Sequence, residues 1–316
     1  MRVKASAAAS VSNLGPGYDV LGLCLEVPRD EVLAELTQSG KVELVEVSGD
    51  EGRLPRVVSE NCAGIAAQEI LKRFGTPGQG VRLWLHKGLP LGSGLGSSGA
   101  SAVAAALATA RLICPERPKR DLLFACREAE RFATGSPHPD NVAPSLLGGL
   151  VACVARPTPE EPEGVEIVDL PLPPGLWIAA VKPNVEVRTA DARAVLPKEI
   201  PMSDVVANLG AMASLVAGLA SGDMAQVGRS LIDRIATPYR SSLIPGYEDV
   251  VSAACDSGAL GAGISGSGPT VFALTVSKEV AESVASRMAE TFRGQGHEAL
   301  TIVGAVDLGG AQVEVL

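Results

Sequence analysis

Residues 90 to 101 read Pro-Leu-Gly-Ser-Gly-Leu-Gly-Ser-Ser-Gly-Ala-Ser, and an alanine-rich run to Ile113 follows. A glycine-dense loop that feeds a helix is suited to an anion. Glycine lets backbone N–H groups approach a ligand, and the free N–H groups and dipole of a helix N-terminus favour negative charge. The chemistry expected of Pro90, Leu91, Gly92, Ser93, Gly94, Leu95, Gly96, Ser97, Ser98, Gly99 and Ala100 is phosphate binding. Two known fingerprints fit less well. A Walker-type loop carries Lys then Ser or Thr after its last glycine, where this chain has Ala100 and Ser101. Gly94 to Gly99 does match the dinucleotide pattern, but the preceding run Val81–His86 alternates apolar and polar residues, unlike a buried parallel strand.

Other residues admit two readings each. On the helix expected from Asp121, residues Leu122, Cys126, Ala129 and Ala133 share one face and Glu130 falls on its border. Glu130 is then either a boundary charge or a ligand. A site that gathers triphosphate charge needs Mg²⁺, which takes one or two hard protein oxygens, and Ser98 and Glu130 offer a hydroxyl and a carboxylate. The run His138-Pro-Asp140-Asn141 is either turn chemistry or part of a site. Asn13 and Asp19 lie six apart in a glycine-rich loop, residues 10 to 22, of the kind that comes close to ligands. A third glycine cluster, residues 261 to 270, by itself implies only a close strand-to-strand approach. Arg193 and Arg240 sit near Pro197 and Pro238. Their planar forks suit a carboxylate, although surface ion pairs account for most such arginines.

With 316 residues, two domains are expected. A net charge of −9 argues against nucleic acid or an anionic membrane as partner and for small molecules. No apolar run is read as approaching the ~20 residues of a membrane span, and the start leads into no signal-peptide core, so a cytoplasmic location is expected. The six cysteines are scattered without a C-x-x-C pair, and there are three histidines. Neither a disulfide framework nor a metal cluster is expected; the cysteines read as small buried hydrophobes.

The elements that must position these groups follow from pattern. Arg2–Ala8, Val20–Glu26, Glu31–Thr37, Lys41–Val47 and Val81–His86 alternate as strands of a half-covered, largely antiparallel sheet. Helices are expected from behind Ser59 to Phe74 and from Asp121 to Thr134, each stopped by Gly and Pro. A loop at residues 138 to 144 precedes a strand at 149–155. The proline- and acid-rich residues 155 to 175 mark a boundary between domains at 1–155 and 165–316. Beyond it come a strand near 176–181, helices near 203–220, 223–235, 247–256 and 278–292, a strand near 270–276 and closing strands. Strands and helices interleave in both halves, so the fold class is α+β.

Three of these segments together resemble the GHMP small-molecule kinases: residues 10 to 22 its first motif, 90 to 101 its phosphate loop, and 261 to 270 its third. The likeness is closest to the branch that acts on homoserine, through Asn-Leu-Gly-Pro-Gly-Tyr-Asp at 13–19, His-Pro-Asp-Asn-Val-Ala-Pro at 138–144 and Gly-Ser-Gly-Pro at 266–269. The resemblance covers essentially the whole chain. It implies a two-domain GHMP kinase fold, with an N-terminal domain like the second domain of ribosomal protein S5, a ferredoxin-like C-terminal domain, and ATP and substrate between them. It also implies Ser98 and Glu130 as Mg²⁺ ligands, Asn61 in the nucleoside pocket, and Asn13, Asp19, His138, Asn141, Thr189, Arg193 and Arg240 at an amino-acid site. Among these, Asn141, Arg193, Ser98 and Glu130 would serve the chemistry. The implied partners are ATP and L-homoserine, in threonine biosynthesis, with a homodimer allowed. Ala8 stands where the family often has Pro, Tyr18 where it usually has Phe, and Asn141 where some branches place an Asp base. Mevalonate-type or sugar-type kinases and a non-catalytic sensor of the same fold are the alternatives.

Overall fold

Alternation along residues 2 to 12 buries Val3, Ala5, Ala7, Ala9 and Val11 on one face and makes the first strand of a seven-stranded sheet. The computed structural model describes residues 1–159 and 161–316. In the first half the elements run β1 (Arg2–Ser12), β2 (Leu21–Thr37), β3 (Val42–Ser48), α1 (Cys62–Phe74), β4 (Gly80–His86), α2 (Ser97–Ile113), α3 (Leu123–Thr134), α4 (Val142–Leu147), β5 (Leu150–Ala155) and β6 (Val165–Leu170). The second half holds β7 (Trp177–Pro183), α5 (Thr189–Ala194), α6 (Met202–Ser221), α7 (Met224–Ser230), α8 (Thr237–Arg240), α9 (Tyr247–Asp256), β8 (Gly261–Ile264), β9 (Val271–Thr275), α10 (Lys278–Gly294), β10 (Ala299–Ala305) and β11 (Gln312–Val315).

The first sheet runs β11-β1-β2-β4-β3, with β5 and β6 branching from β2, and only β3 and β4 pair in parallel. The second is the four-stranded antiparallel sheet β10-β7-β9-β8, with α9 and α10 packed on it. The α+β reading holds.

Several boundaries differ from the pattern. The two strands expected at 20–26 and 31–37 are one strand, β2. Its register against β1 shifts between the pairs Ala8–Arg29 and Ser10–Cys24, and Pro28 falls in that irregular stretch, where a missing N–H costs no ladder bond. Helix α1 is capped by Asn61, which accepts from the Ala63 N–H at 3.0 Å, and not by Ser59. Asp121 lies in a 3₁₀ turn before α3 and caps nothing. Part of the stretch read as a loop at 138–144 belongs to α4. Residues 165–170 and 312–315, expected in the second half, are hydrogen-bonded into the first sheet.

Cys24, Cys126 and Cys153 are buried as expected, but Cys255 is exposed. Helix α6 also departs from expectation. It is 20 residues long and contains an 18-residue stretch with a mean hydropathy of 1.4, enough by length and composition alone to span a bilayer. Its inner face (Asn208, Leu215, Gly218 and Leu219) is buried, with Leu215 and Leu219 in the core that includes Leu14, Leu23 and Leu150, while Met202, Val206 and Leu209 are exposed.

Beneath the glycine loop lies a buried ion pair. Lys87 Nζ donates to Asp30 Oδ2, to the Ser97 carbonyl at 2.8 Å and to Ser101 Oγ at 2.8 Å. Asp30 also accepts from the N–H groups of Gly88 and Leu89 and from the Ser101 hydroxyl. Burial pulls the Lys87 pKa below its ordinary value, against the pull of Asp30. Removing one partner of such a pair strands the other charge away from water. Lys87→Met should therefore lower unfolding free energy by about 3 kcal/mol in urea titrations; a loss below about 1 kcal/mol would mean that the hydrogen bonds to Asp30 carry its charge alone.

Candidate active site

Residues of both halves line a cleft of about 400 Å³, and all three glycine-rich segments border it. The glycine loop joins β4 to α2, and Gly92, Gly94 and Gly96 all have positive φ. Two of them are also needed for space. A Cβ on Gly94 would lie 2.6 Å from the carbonyl oxygens of Gly268 and Ser265, and one on Gly96 would lie 2.4 Å from Ser10 Oγ. The third cluster, which alone implied only a strand approach, is thus the partner surface of the phosphate loop: Ser265 Oγ donates to the Gly94 carbonyl at 2.8 Å. The first motif joins both, since the Gly266 N–H donates to the Ser12 carbonyl and Asn13 Nδ2 to the Gly266 carbonyl at 3.0 Å.

Most expected residues line the cleft: Asn13, Asp19, Asn61, Leu91, Gly92, Ser93, Gly94, Gly96, Ser97, Ser98, Glu130, His138, Asn141, Thr189, Arg193 and Arg240. Pro90, Leu95, Gly99 and Ala100 do not. Leu95 and Ala100 are fully buried, and Gly99 backs onto Val142. These four shape the loop from behind.

At the entrance of α2, Ser98 Oγ donates to Glu130 Oε2 at 3.3 Å. Glu130 points inward from α3 and is 6% exposed, so the boundary-charge reading does not describe it. Burial, then the neighbouring Asp140, pushes its pKa up to about 7. Among the described residues Glu130 makes no ion pair, and no cluster of three or more His, Cys, Asp or Glu is placed to hold a metal. One hydroxyl and one carboxylate without a cation is a donor set that fits Mg²⁺, whose remaining positions go to phosphate oxygens and water.

Asn141 is oriented at both ends: its Oδ1 accepts from Ser10 Oγ at 3.0 Å and its Nδ2 donates to Ser12 Oγ at 3.1 Å. Asp140 beside it is buried, and burial together with Asp19 raises its pKa to about 7. Opposite, Asp19 pairs with Arg193 through two contacts of 3.2 Å, and His138 Nδ1 stands 3.7 Å from the same carboxylate. Tyr18, the departure from Phe, is engaged: its hydroxyl accepts from Arg193 at 3.1 Å, and the Arg240 guanidinium lies 5.1 Å from its ring centre. Arg240 donates to the carbonyls of Ala192 and Gly266, both at 2.9 Å.

At the other end, Leu54, Cys62, Phe132 and Ala133 form an apolar slot. Asn61 borders it, but its amide is occupied in capping α1 and in donating to the Pro55 carbonyl at 2.9 Å, so it shapes the slot. The sequence reading missed Lys87, Phe132 and Ser12 as cleft residues. Lys87, directly before the glycine loop, was the one a search for cations near phosphate could have found.

Two family models match: the GHMP kinases N terminal domain over residues 61–149 and the GHMP kinases C terminal domain over 215–294. Homoserine kinase of Chlorobium phaeobacteroides is 40% identical over 300 residues, covering 92% of each chain. That of Pyrococcus furiosus is 41% identical over 297 residues, covering 94% of this chain and 95% of the relative. The crystal structure of homoserine kinase from Cytophaga hutchinsonii superposes with a TM-score of 0.92 at 42% identity, covering 99% of this chain and 97% of that one. Identity of this extent, on a cleft built from the same three motifs, makes the chain a member of the GHMP kinase family, among the homoserine kinases.

Proposed function

We infer that this chain transfers the γ-phosphoryl group of ATP to the hydroxyl of L-homoserine, giving O-phospho-L-homoserine and ADP, a step of threonine biosynthesis. The observation that carries the reading is a single cleft in which an anion-binding loop at a helix N-terminus faces an amino-acid-shaped charge pattern. Asp19 and Arg193 pair with each other. An amino acid brings an ammonium for Asp19 and a carboxylate for Arg193 and Arg240, so each half of that pair exchanges one partner for another. A mevalonate or a sugar offers Asp19 only hydroxyls and no cation.

In the reaction the homoserine oxygen forms a bond to the γ-phosphorus, the bond to the ADP oxygen breaks, and the hydroxyl proton leaves. Asn141, held by Ser10 and Ser12, is the group we assign to orient the hydroxyl. The backbone N–H groups of residues 91–98 and the start of α2 cradle the phosphates. Ser98 and Glu130 would hold Mg²⁺, which when bound neutralises charge on the β- and γ-phosphates. The transition state is loose, so positioning and charge neutralisation do most of the work, and no base need take the proton early. Asp140, next to Asn141, and His138 are the candidate late acceptors.

Three outcomes test the assignment. In a coupled ADP-release assay across homoserine, 4-hydroxybutyrate, mevalonate and galactose, homoserine should be preferred. 4-Hydroxybutyrate lacks only the ammonium and leaves Asp19 unpaired, so its kcat/KM should fall by several kcal/mol in transition-state terms, roughly 100-fold or more. Asp19→Asn should narrow that gap mainly by harming homoserine. Equal use of both compounds by the native chain removes the ammonium contact. Glu130→Gln should cut kcat by at least ~100-fold in a folded protein, and near-normal turnover would return Glu130 to a structural role.

The third outcome concerns Asp140 in the ligand-free protein. Its folded pKa of about 7 lies above the unfolded carboxylate value. Between those two values the unfolded chain has released the proton and the folded chain still holds it, so stability declines as pH rises and the full cost is present above pH 7. Asp140→Asn removes that cost. Its stabilising effect in thermal melts should be greater at pH 8 than at pH 5, by roughly 3 kcal/mol for the two pH units up to 7; a pH-independent effect would show that Asp140 ionises normally.

A further inference from the structure

Asn208, on the inner face of α6, is absent from the wall of the cleft, yet it is 4% exposed and hydrogen-bonded at both ends of its amide. Its Nδ2 donates to the Pro16 carbonyl at 2.8 Å, and its Oδ1 accepts from the Arg234 N–H at 3.0 Å. These partners belong to opposite sides of the amino-acid pocket. Pro16 lies two residues from Tyr18 and three from Asp19. Arg234 follows Asp233, whose carboxylate accepts from the N–H groups of Ile235, Ala236 and Thr237 and so fixes the start of α8, the helix that ends in Arg240.

The loop that Asn208 holds does not sit in an easy conformation. Asn13, Leu14 and Asp19 have φ of +72°, +47° and +54°, values that residues other than glycine keep only where their surroundings enforce them. Asn13 supplies part of that enforcement through Gly266 and through the Asp19 N–H. At the middle of the loop, the side-chain hydrogen bond to the Pro16 carbonyl comes from Asn208.

We propose that Asn208 is a positioning residue for the amino-acid substrate: one buried amide sets the spacing between Asp19 and Arg240, and with it the fit of an ammonium and a carboxylate carried on one carbon. This rests on reading that pocket as the homoserine site. Neither bond of Asn208 reaches the 90–101 glycine loop, so the effect is expected to fall on one substrate.

Two variants separate the bonds. Asn208→Asp keeps an acceptor for Arg234 and removes the donor to Pro16; Asn208→Ala removes both. In Asn208→Asp the KM for homoserine should rise about tenfold, the equivalent of one lost hydrogen bond, while the KM for ATP stays within about twofold. The preference for homoserine over 4-hydroxybutyrate should narrow by a similar factor, because a loosened Asp19 no longer reads the ammonium. Asn208→Ala should show the same split, larger in size. Wild-type KM for homoserine in either folded variant overturns the proposal. So does a parallel rise in both KM values, or failure of both variants to fold, since each marks a purely structural residue. Arg240→Ala serves as the control for the pocket: if it leaves homoserine use unchanged, the reading of the site fails instead of the role of Asn208.

Discussion

The phosphate end of the cleft depends on the Asp30–Lys87 pair. Two opposite charges with side chains 0% and 1% exposed would be costly unless every lone pair and proton found a partner. Here the compensation fixes the chain. Asp30 on β2 holds the backbone N–H groups just after β4, and Lys87 holds the carbonyl of Ser97 at the first turn of α2. The glycine loop therefore spans two anchored ends. The charge of Lys87 is balanced by Asp30 in direct contact, so the pair anchors the loop and the helix N-terminus supplies the local positive potential.

A second constraint is the absence of side chains where the glycine clusters meet. With Cβ atoms on Gly94 or Gly96, the loop would collide with residues 265–268 or with Ser10. Their absence lets one site be assembled from two sheets whose hydrogen-bond ladders are separate. The amino-acid end is built differently. There the contacts are side-chain pairs, Asp19 with Arg193 and Tyr18 with both arginines; under the proposed function these would trade partners with a zwitterion. A backbone-built phosphate cradle and a side-chain-built amino-acid pocket suit a reaction that must hold one reactant still and admit the other.

What the sequence revealed follows from the range of each interaction. Periodicity is local, so the α+β class, the glycine loop and the inward side of α3 were legible. Glu130 could be assigned to the cleft edge because its face is set by neighbours three and four residues away. Long-range pairings were not legible. Nothing near Lys87 announces Asp30, 57 residues earlier, and β11 joins β1 across nearly the whole chain. The proline-rich stretch concealed β6 because its strand face is only partly covered and its pattern is weak. Asn208 was invisible for a similar reason: within an apolar helix it reads as an ordinary polar residue until Pro16 and Arg234 are brought to it.

A chain of net charge −9 that binds a polyanion looks contradictory until charge is resolved by place. At long range the protein repels ATP, and screening at physiological salt limits that repulsion to about 8 Å. Within the cleft the glycine loop meets a helix N-terminus, and Asp19, Glu130 and Asp140 bring carboxylates to the same space, Glu130 directly beside Ser98 and two of the three with pKa values raised to about 7. Among the described residues Asp19 is paired with Arg193, while Glu130 and Asp140 have no ion pair. Under the proposed function, homoserine would bring an ammonium and the nucleotide's metal complex a divalent ion to these carboxylates. Each would also bring an anionic group that, alone, these carboxylates would repel. Under that reading the cleft favours reactants in which positive and negative charges are joined at fixed separation, which would select an amino acid over a simple alcohol.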